Sequence, residues 1–202
     1  MKPETLLPVR EPFWSRVREV WDLLAFTFDF DVFEQALGAE AYATPAPWVP
    51  AFVVPSASVS VVGRDGTGGL YVSCERGQQR CCLHLDTQGN AVCIGEDWPQ
   101  AVALLVALPY WPELLAHCPS GELSGLRAAA QRLEREACED LPALPAARQE
   151  LRAFLALPGL ADPVLRLKQL AVDQAVPVTV WSPHGWRYTS PVRRSEPLVG
   201  SA

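Results

Sequence analysis

Apolar residues change their spacing at Ser58, and few folds are compatible with that change. From Ser58 to Gly95, apolar and polar residues alternate in four short runs, which is the pattern of half-buried strands. Turn sequences separate the runs: GRDGTGG at 63–69, ERGQ at 75–78 and DTQGN at 86–90. Short turns between consecutive strands predict an antiparallel meander of about four strands.

Helical spacing precedes the meander. Apolar residues at steps of three and four predict one helix after Pro12, with a single buried stripe. The members of this stripe are Trp14, Val17, Trp21, Leu24 and Phe28. A shorter helical pattern around Phe33 and Leu37 ends near Gly38, a residue type that commonly ends helices. Four prolines in residues 43–57 then predict a stiff, extended connector.

Helical spacing also follows the meander. Asp97 and Pro99 are typical of a helix start, and the apolar run to Leu108 predicts a helix buried under the sheet. The pair Asp162-Pro163 predicts the start of a last helix. The apolar stripes of the later helices are Leu123, Leu126, Ala130, Leu133 and Ala137, then Leu151, Phe154 and Leu155, then Val164, Leu167 and Ala171. VPVTVW and WRYTS, joined by SPHG, predict a terminal hairpin before a polar tail at 190–202.

These patterns together predict an α+β fold: an antiparallel or mixed sheet of about four to six strands flanked by helices, with a helical C-terminal extension. Residues 1–120 are assigned to the α+β core. Residues 121–202 are assigned to the helical extension with its terminal hairpin, which we expect to pack on the same core. With 49% apolar and 20% charged residues, the chain is expected to fold.

The sequence predicts a cytoplasmic protein. The longest apolar stretch, residues 101–108, is too short to span a bilayer, and the first residues lack the apolar core of a signal peptide. The six cysteines lack the regular spacing of a small secreted disulfide scaffold. We therefore expect reduced thiols, most of them in the core.

The charge is unevenly spread along the chain. The net charge is −6, and residues 1–50 carry eight acidic residues against four basic ones. An acidic surface repels nucleic acid and membrane phosphate, and it attracts a basic protein. The predicted partner is therefore a protein, with no nucleic acid and no membrane involved. A modest negative charge also serves solubility alone, so that interpretation stays open.

No combination of residues amounts to an active site, so the sequence predicts neither an enzyme nor a bound cofactor. The glycine run at 63–69 has no lysine and is followed by strand-like sequence, whereas phosphate-binding loops lead into a helix. A tight hairpin whose glycines take positive φ fits this run better. The signatures GxSxG and HExxH do not occur in the chain.

The alternative is a metal-binding protein or a thiol hydrolase. Cys82 and His84 share one face of a predicted strand, and His117 and Cys118 form a second pair. Thiolate and imidazole are zinc ligands, and an imidazole can also lower the pKa of a neighbouring thiol. The CxxC and HxxxH spacings that zinc sites normally use do not occur here.

Several short motifs follow one another between Pro47 and about Leu115. They are the lead-in APWVP, the glycine turn DGTGG before LYVSC, the strand pair CLHLDTQGNAVCIGE and the helix DWPQAVALLVALPYW. In this order they resemble the SMI1/KNR4 (SUKH) superfamily of bacterial immunity proteins and their relatives. The resemblance implies a compact α+β fold with a mixed sheet flanked by helices. It also implies a non-enzymatic role, namely binding and blocking a cognate toxin.

Five residues are the predicted partner-binding surface: Arg64, Asp65, Glu96, Asp97 and Trp98. They lie at a turn and at a strand end of the predicted meander, where side chains are commonly exposed. An exposed tryptophan beside acidic residues is a common composition for a protein-binding anchor. We therefore expect these five side chains to lie close together on the surface.

Overall fold

The computed structural model describes residues 12–33, 58–76 and 79–173. These ranges form an α+β fold, as predicted, with a sheet and helices that share one hydrophobic core. Three predictions fall wholly or mostly outside them: the short helix around Phe33 and Leu37 that ends near Gly38, the proline-rich connector at 43–57, and the terminal hairpin with its tail. Within the described ranges, none of the helices has the length and apolar content that crossing a bilayer requires.

Five strands form a single antiparallel sheet in the order β1-β2-β3-β4-β5. Their bounds are β1 (Asp31–Val32), β2 (Ser58–Arg64), β3 (Leu70–Arg76), β4 (Gln79–Leu85) and β5 (Ala91–Gly95). The four predicted strands are β2 to β5, so the meander prediction is confirmed. Of the short helix predicted around Phe33 and Leu37, only Phe33 is described; it follows β1, and its N–H donates to the Val62 carbonyl at 2.8 Å.

The sheet is buried on both faces. Alternation places Val72 and Leu83 on one face and Tyr71 and His84 on the other, and all four are at most 4% exposed. Both faces are therefore covered where β3 and β4 pair. Arg64, Glu75 and Arg80, towards the ends of their strands, are exposed.

Seven helices surround the sheet within the described ranges, and the last one runs into a π-helical turn. Their bounds are α1 (Pro12–Glu19), α2 (Trp21–Phe28), α3 (Trp98–Ala107), α4 (Trp111–His117), α5 (Leu123–Asp140), α6 (Leu144–Phe154) and α7 (Pro163–Lys168), followed by the turn Gln169–Asp173. Residues Leu126, Leu151 and Leu167 of the last three helices are fully buried in the same cluster as the strands. The helical extension thus packs on the core.

The predicted helix after Pro12 is two helices, separated at Val20. Four members of its stripe are buried, but Trp21 is 37% exposed, because its indole turns outward and donates to Asp31 Oδ1 at 3.1 Å. This hydrogen bond to β1 holds the Trp21 side chain at the surface, so it is not buried in the core.

Helix α3 forms as predicted. The Asp97 side chain accepts a hydrogen bond from the Gln100 N–H at 2.8 Å, and Pro99 lies in the first turn. Seven of its ten residues are buried, from Trp98 to Val106. Gly95 makes this packing possible, since a Cβ there would lie 2.8 Å from the Ala101 nitrogen.

Candidate functional site

The five predicted partner-binding residues occupy two separate places. Arg64 and Asp65 lie at the end of β2, and Glu96 to Trp98 follow β5, three strands away in the sheet. Because neighbouring strands are about 4.8 Å apart, these positions are more than ~14 Å apart across the sheet. The structure therefore does not bring the five residues together as one surface.

Arg64 is an exposed residue with an ion pair. Its Nε donates to Asp31 Oδ2 at 2.9 Å, and the other oxygen of Asp31 accepts from the Trp21 indole. The three side chains link α2, β1 and β2 on the surface. Such exposed pairs contribute little stability, so this link is free to serve recognition.

Asp65 is not a surface residue. It is 8% exposed, and its Oδ1 accepts hydrogen bonds from the backbone N–H groups of Thr67 and Gly69 at 2.8 and 2.7 Å. Its Oδ2 lies 2.7 Å from Nε2 of the buried His84. The sequence suggested an exposed turn acid, but the carboxylate points inward because it satisfies the donors of its own turn.

Glu96 and Asp97 are exposed, whereas Trp98 is 8% exposed. Glu96 accepts from Arg166 of α7 at 2.9 Å, and Asp97 is the helix cap described above. The Trp98 ring packs against Trp14 of α1 and stacks on Phe30, with ring centroids 5.7 and 5.8 Å apart. Trp98 is a core residue, since helix α1 covers it from a distant part of the sequence.

Aromatic rings enclose the buried pair of Asp65 and His84. The His84 ring lies between Tyr71 and Trp111, with both ring centroids 5.0 Å away. Burial raises the pKa of the Asp65 carboxyl, but hydrogen bonds from His84 and Thr67 outweigh it and hold that pKa well below its usual value. Burial, with Asp65 and Asp29 nearby, raises the pKa of Tyr71 well above its usual range.

The hydrogen bonds of this pair hold the β2–β3 turn. A carboxylate only accepts hydrogen bonds, so His84 Nε2 carries the proton that it shares with Asp65. Both Asp65 oxygens are occupied, and a Cβ at Gly69 would lie 2.4 Å from Oδ2 and 2.6 Å from His84 Nε2. There is consequently no room for a side chain at position 69, and the pair ties the β2–β3 turn to β4.

The four residues of the metal or thiol alternative lie apart. Cys82 and His84 are buried in β4, whereas His117 is exposed on α4 and its Nδ1 lies 2.8 Å from the Glu113 carbonyl oxygen. The Cys118 thiol donates to the Glu122 carbonyl at 3.6 Å. In the described part of the chain, no three His, Cys, Asp or Glu side chains are grouped so that they could hold a metal ion.

Helix α2 carries an exposed aromatic residue that the sequence analysis did not single out. Phe26 is 88% exposed, and it lies two residues from the buried Leu24 and Phe28. Residues two apart in an α-helix point to nearly opposite sides, so Phe26 faces away from the core. The signal was present in the sequence as an apolar residue off the predicted stripe.

Two exposed acids flank Phe26. Asp22 precedes it by one helical turn, and Asp29 follows the helix with a left-handed backbone, φ 52°. Asp29 Oδ1 also accepts from the Gly66 N–H of the β2–β3 turn at 2.7 Å, which fixes the end of the helix against that turn. We name Asp22, Phe26 and Asp29 the α2 patch.

No protein-family model, curated protein or solved structure matches this chain. The resemblance seen between Pro47 and about Leu115 therefore stays a prediction. What the protein does must be inferred from its surface and from its buried groups.

Proposed function

We propose that the chain is a non-enzymatic, cytoplasmic protein-binding module that neutralises a cognate toxin, and that the α2 patch contacts this toxin. The observation that carries the proposal is the 88% exposure of Phe26 on a folded helix. Full burial of a phenylalanine side chain is worth about 1.5–3 kcal/mol, so an exposed one is a strong potential anchor. Aromatic residues are also enriched at the centres of protein interfaces.

The charge around Phe26 indicates the kind of partner. Asp22 and Asp29 are exposed on either side of it, and the whole chain carries a net charge of −6. Negative groups around an apolar anchor favour a partner with a basic rim around an apolar pocket. Toxins that act on nucleic acid need basic surfaces of this kind, which agrees with the immunity role that the family resemblance implies.

The polar residues inside the protein give no competing indication of catalysis. Within the described ranges, every fully buried side-chain nitrogen or oxygen has a hydrogen-bond partner. The acid–imidazole pair of Asp65 and His84 is enclosed and fully engaged in holding a turn. These observations support a binding role, which requires a surface and no reactive group.

The test is a binding assay against the toxins encoded beside the gene. We expect one of them to bind the purified protein, and Phe26→Ala to weaken that affinity by about 30-fold or more, as loss of a hot-spot residue does. Phe154→Ala is the matched control, because Phe154 is also exposed, at 39%, and also follows an exposed acid, Glu150, by one helical turn.

The charge contribution is tested separately. Asp22→Asn is expected to slow association and to reduce its dependence on salt, whereas Glu139→Gln, at an exposed acid of α5, leaves both unchanged. The proposal of a toxin partner fails if no candidate toxin binds. The assignment of the patch fails if a toxin binds but the Phe26→Ala protein binds it as tightly as the wild type does.

A further inference from the structure

Two cysteines face each other across neighbouring strands. Cys74 of β3 is directly opposite Cys81 of β4 in a register that runs unbroken from Leu70 and Leu85 to the end of the hairpin. Directly opposed residues of an antiparallel pair have Cα atoms about 4.5 or 5.5 Å apart. Both separations lie within the range of about 4.4–6.8 Å that a disulfide spans, so the backbone need not move for the two sulfurs to join.

The two thiols already interact. Cys74 and Cys81 are 1% and 6% exposed, and a hydrogen bond joins their side chains. Donation by the Cys81 S–H to the Cys74 sulfur lowers the pKa of Cys74, while burial and the Glu75 charge oppose this. The same hydrogen bond, together with burial, raises the pKa of Cys81. Of the two thiols, Cys74 therefore ionises more readily, which makes it the one to react first.

The remaining described cysteines are not arranged in this way. Cys82 points to the opposite face of the sheet, and the register partner of Cys93 is Leu83. The Cys118 and Cys138 thiols donate to oxygens of Glu122 and Glu134. Only Cys74 and Cys81, among the described cysteines, are direct register partners on adjacent strands.

We propose that Cys74 and Cys81 are an oxidation site at which a hydroperoxide forms a reversible cross-strand disulfide. The Cys74 thiolate attacks one peroxide oxygen, the O–O bond breaks, and the departing oxygen takes up the proton from Cys74 as water or alcohol. Cys81 then attacks the sulfur of the Cys74 sulfenic acid. The S–O bond breaks, and the hydroxyl leaves as water with the Cys81 proton. Overall, two thiols are oxidised and one hydroperoxide is reduced.

Oxidation of Cys74 in the first step changes the charge next to Cys81, which reacts in the second step. The Cys74 thiolate is a negative charge beside Cys81 and contributes to the raised pKa of Cys81. Conversion of that thiolate to an uncharged sulfenic acid removes this charge. One cause of the raised pKa of Cys81 is thereby removed, while burial continues to raise it. A hydrogen-bonded neighbour of this kind is the arrangement in which a sulfenic acid is resolved to a disulfide before further oxidation.

The test is disulfide mapping of the purified full chain after graded hydrogen peroxide, with free thiols alkylated under denaturing conditions. Arg76 and Arg80 lie between the two cysteines, so trypsin places Cys74 and Cys81 on different peptides that only a disulfide can join. We expect the joined peptide to appear first and to separate again with dithiothreitol. The second peptide, residues 81–127, also contains Cys82, Cys93 and Cys118, so fragmentation of the joined peptide must locate the bond at Cys81. The Cys82→Ser, Cys93→Ser and Cys118→Ser proteins are each expected to give the same cross-link.

Variants assign the two steps. In Cys81→Ser we expect Cys74 to accumulate as a sulfenic acid that dimedone traps, and in Cys74→Ser we expect neither product. Cys138→Ser should behave as the wild type does. The proposal is overturned if Cys74 and Cys81 remain free at peroxide doses that oxidise other cysteines. It is also overturned if Cys81 is joined to Cys93 instead, or if Cys74 is oxidised to sulfinic acid without a disulfide.

Discussion

The β2–β3 and β4–β5 turns have the same local design but different places in the molecule. Each begins with an aspartate, Asp65 or Asp86, whose Oδ1 accepts the N–H groups two and four residues later at 2.7–2.8 Å. In each, the fourth residue is a glycine with φ near 90°, Gly68 or Gly89. A main difference between the two turns is what the second aspartate oxygen contacts.

The contact of the second carboxylate oxygen, Oδ2, distinguishes the two turns. Asp65 Oδ2 lies 2.7 Å from Nε2 of the buried His84, while Asp86 Oδ2 accepts from the Asn90 amide of its own turn. Asp65 is buried and Asp86 is half-buried. The Asp86 turn therefore stabilises only its own hairpin. The Asp65 turn, whose carboxylate contacts β4, is part of the core. The same turn motif therefore contributes differently to stability in the two hairpins, although both turns lie at the same end of the sheet.

The largest expected difference is between Asp65→Ala and Asp86→Ala. Loss of Asp65 leaves His84 and the turn donors without their acceptor, which costs about 3–5 kcal/mol for a buried pair. Loss of Asp86 removes exposed hydrogen bonds and costs about 1 kcal/mol. Urea unfolding of both variants measures the free energies. Equal losses would mean that the bond to His84 adds nothing to the turn.

The fifth position of each turn gives the next difference. Gly69→Ala places a Cβ 2.4 Å from Asp65 Oδ2, so the pair must shift, and we expect a loss of about 1–3 kcal/mol, as for overpacking in a core. Asn90 already carries a side chain at the equivalent position. Asn90→Ala is expected to cost less than about 1 kcal/mol in the same unfolding assay. A Gly69→Ala protein as stable as the wild type would contradict the close approach.

Low pH should reduce the contribution of Asp65 to the stability of the folded protein. Its pKa is lower in the folded protein than in the unfolded chain, so its stabilisation is complete above the unfolded value of about 4 and is lost as the pH falls below it. We expect the stability difference between the wild type and Asp65→Asn to be constant from pH 7 to 5 and to shrink towards pH 2. A difference that does not change with pH would show that the charge of Asp65 is unimportant.

The two turn glycines with positive φ, Gly68 and Gly89, should lose similar amounts of stability when each is replaced by alanine. Gly68→Ala and Gly89→Ala each force a side chain into a backbone conformation that L residues rarely adopt, and each is expected to cost about 1 kcal/mol. The nearest atom to a Cβ at Gly68 is Thr87 Cγ2 at 3.5 Å, an ordinary contact. Matching losses would show that the local turn energies are equal, so that the larger differences above arise from His84.

Local patterns in the sequence predicted much of the fold. Alternation and turn sequences predicted β2 to β5, and Asp97 with Pro99 predicted the start of α3, because these signals depend on neighbours in the chain. The break at Val20 was missed, since the apolar stripe continues across it. Helix propensity and spacing alone do not encode where tertiary packing interrupts a helix.

The candidate site was less predictable, because exposure depends on distant contacts. Trp98 is buried because the rings of Trp14 and Phe30 pack against it. Asp65 points inward, where its carboxylate contacts the buried His84. None of these partners is near in sequence, so turn position suggested exposure for both residues. Phe26 could have been found as the apolar residue opposite the stripe of α2, a signal that is local and was passed over.

The order of strands has a kinetic consequence for the α2 patch. Strands β2 to β5 pair with neighbours joined by short turns, whereas β1 pairs with β2 through Val32 and Gly63, which are far apart in the chain. Closing the longer loop costs more entropy, so the meander should assemble before β1 joins it. Val32→Ala should then accelerate unfolding and leave the folding rate nearly unchanged in stopped-flow measurements. Since α2 packs against β1, the patch would lie on the last part of the fold to assemble and the first to open.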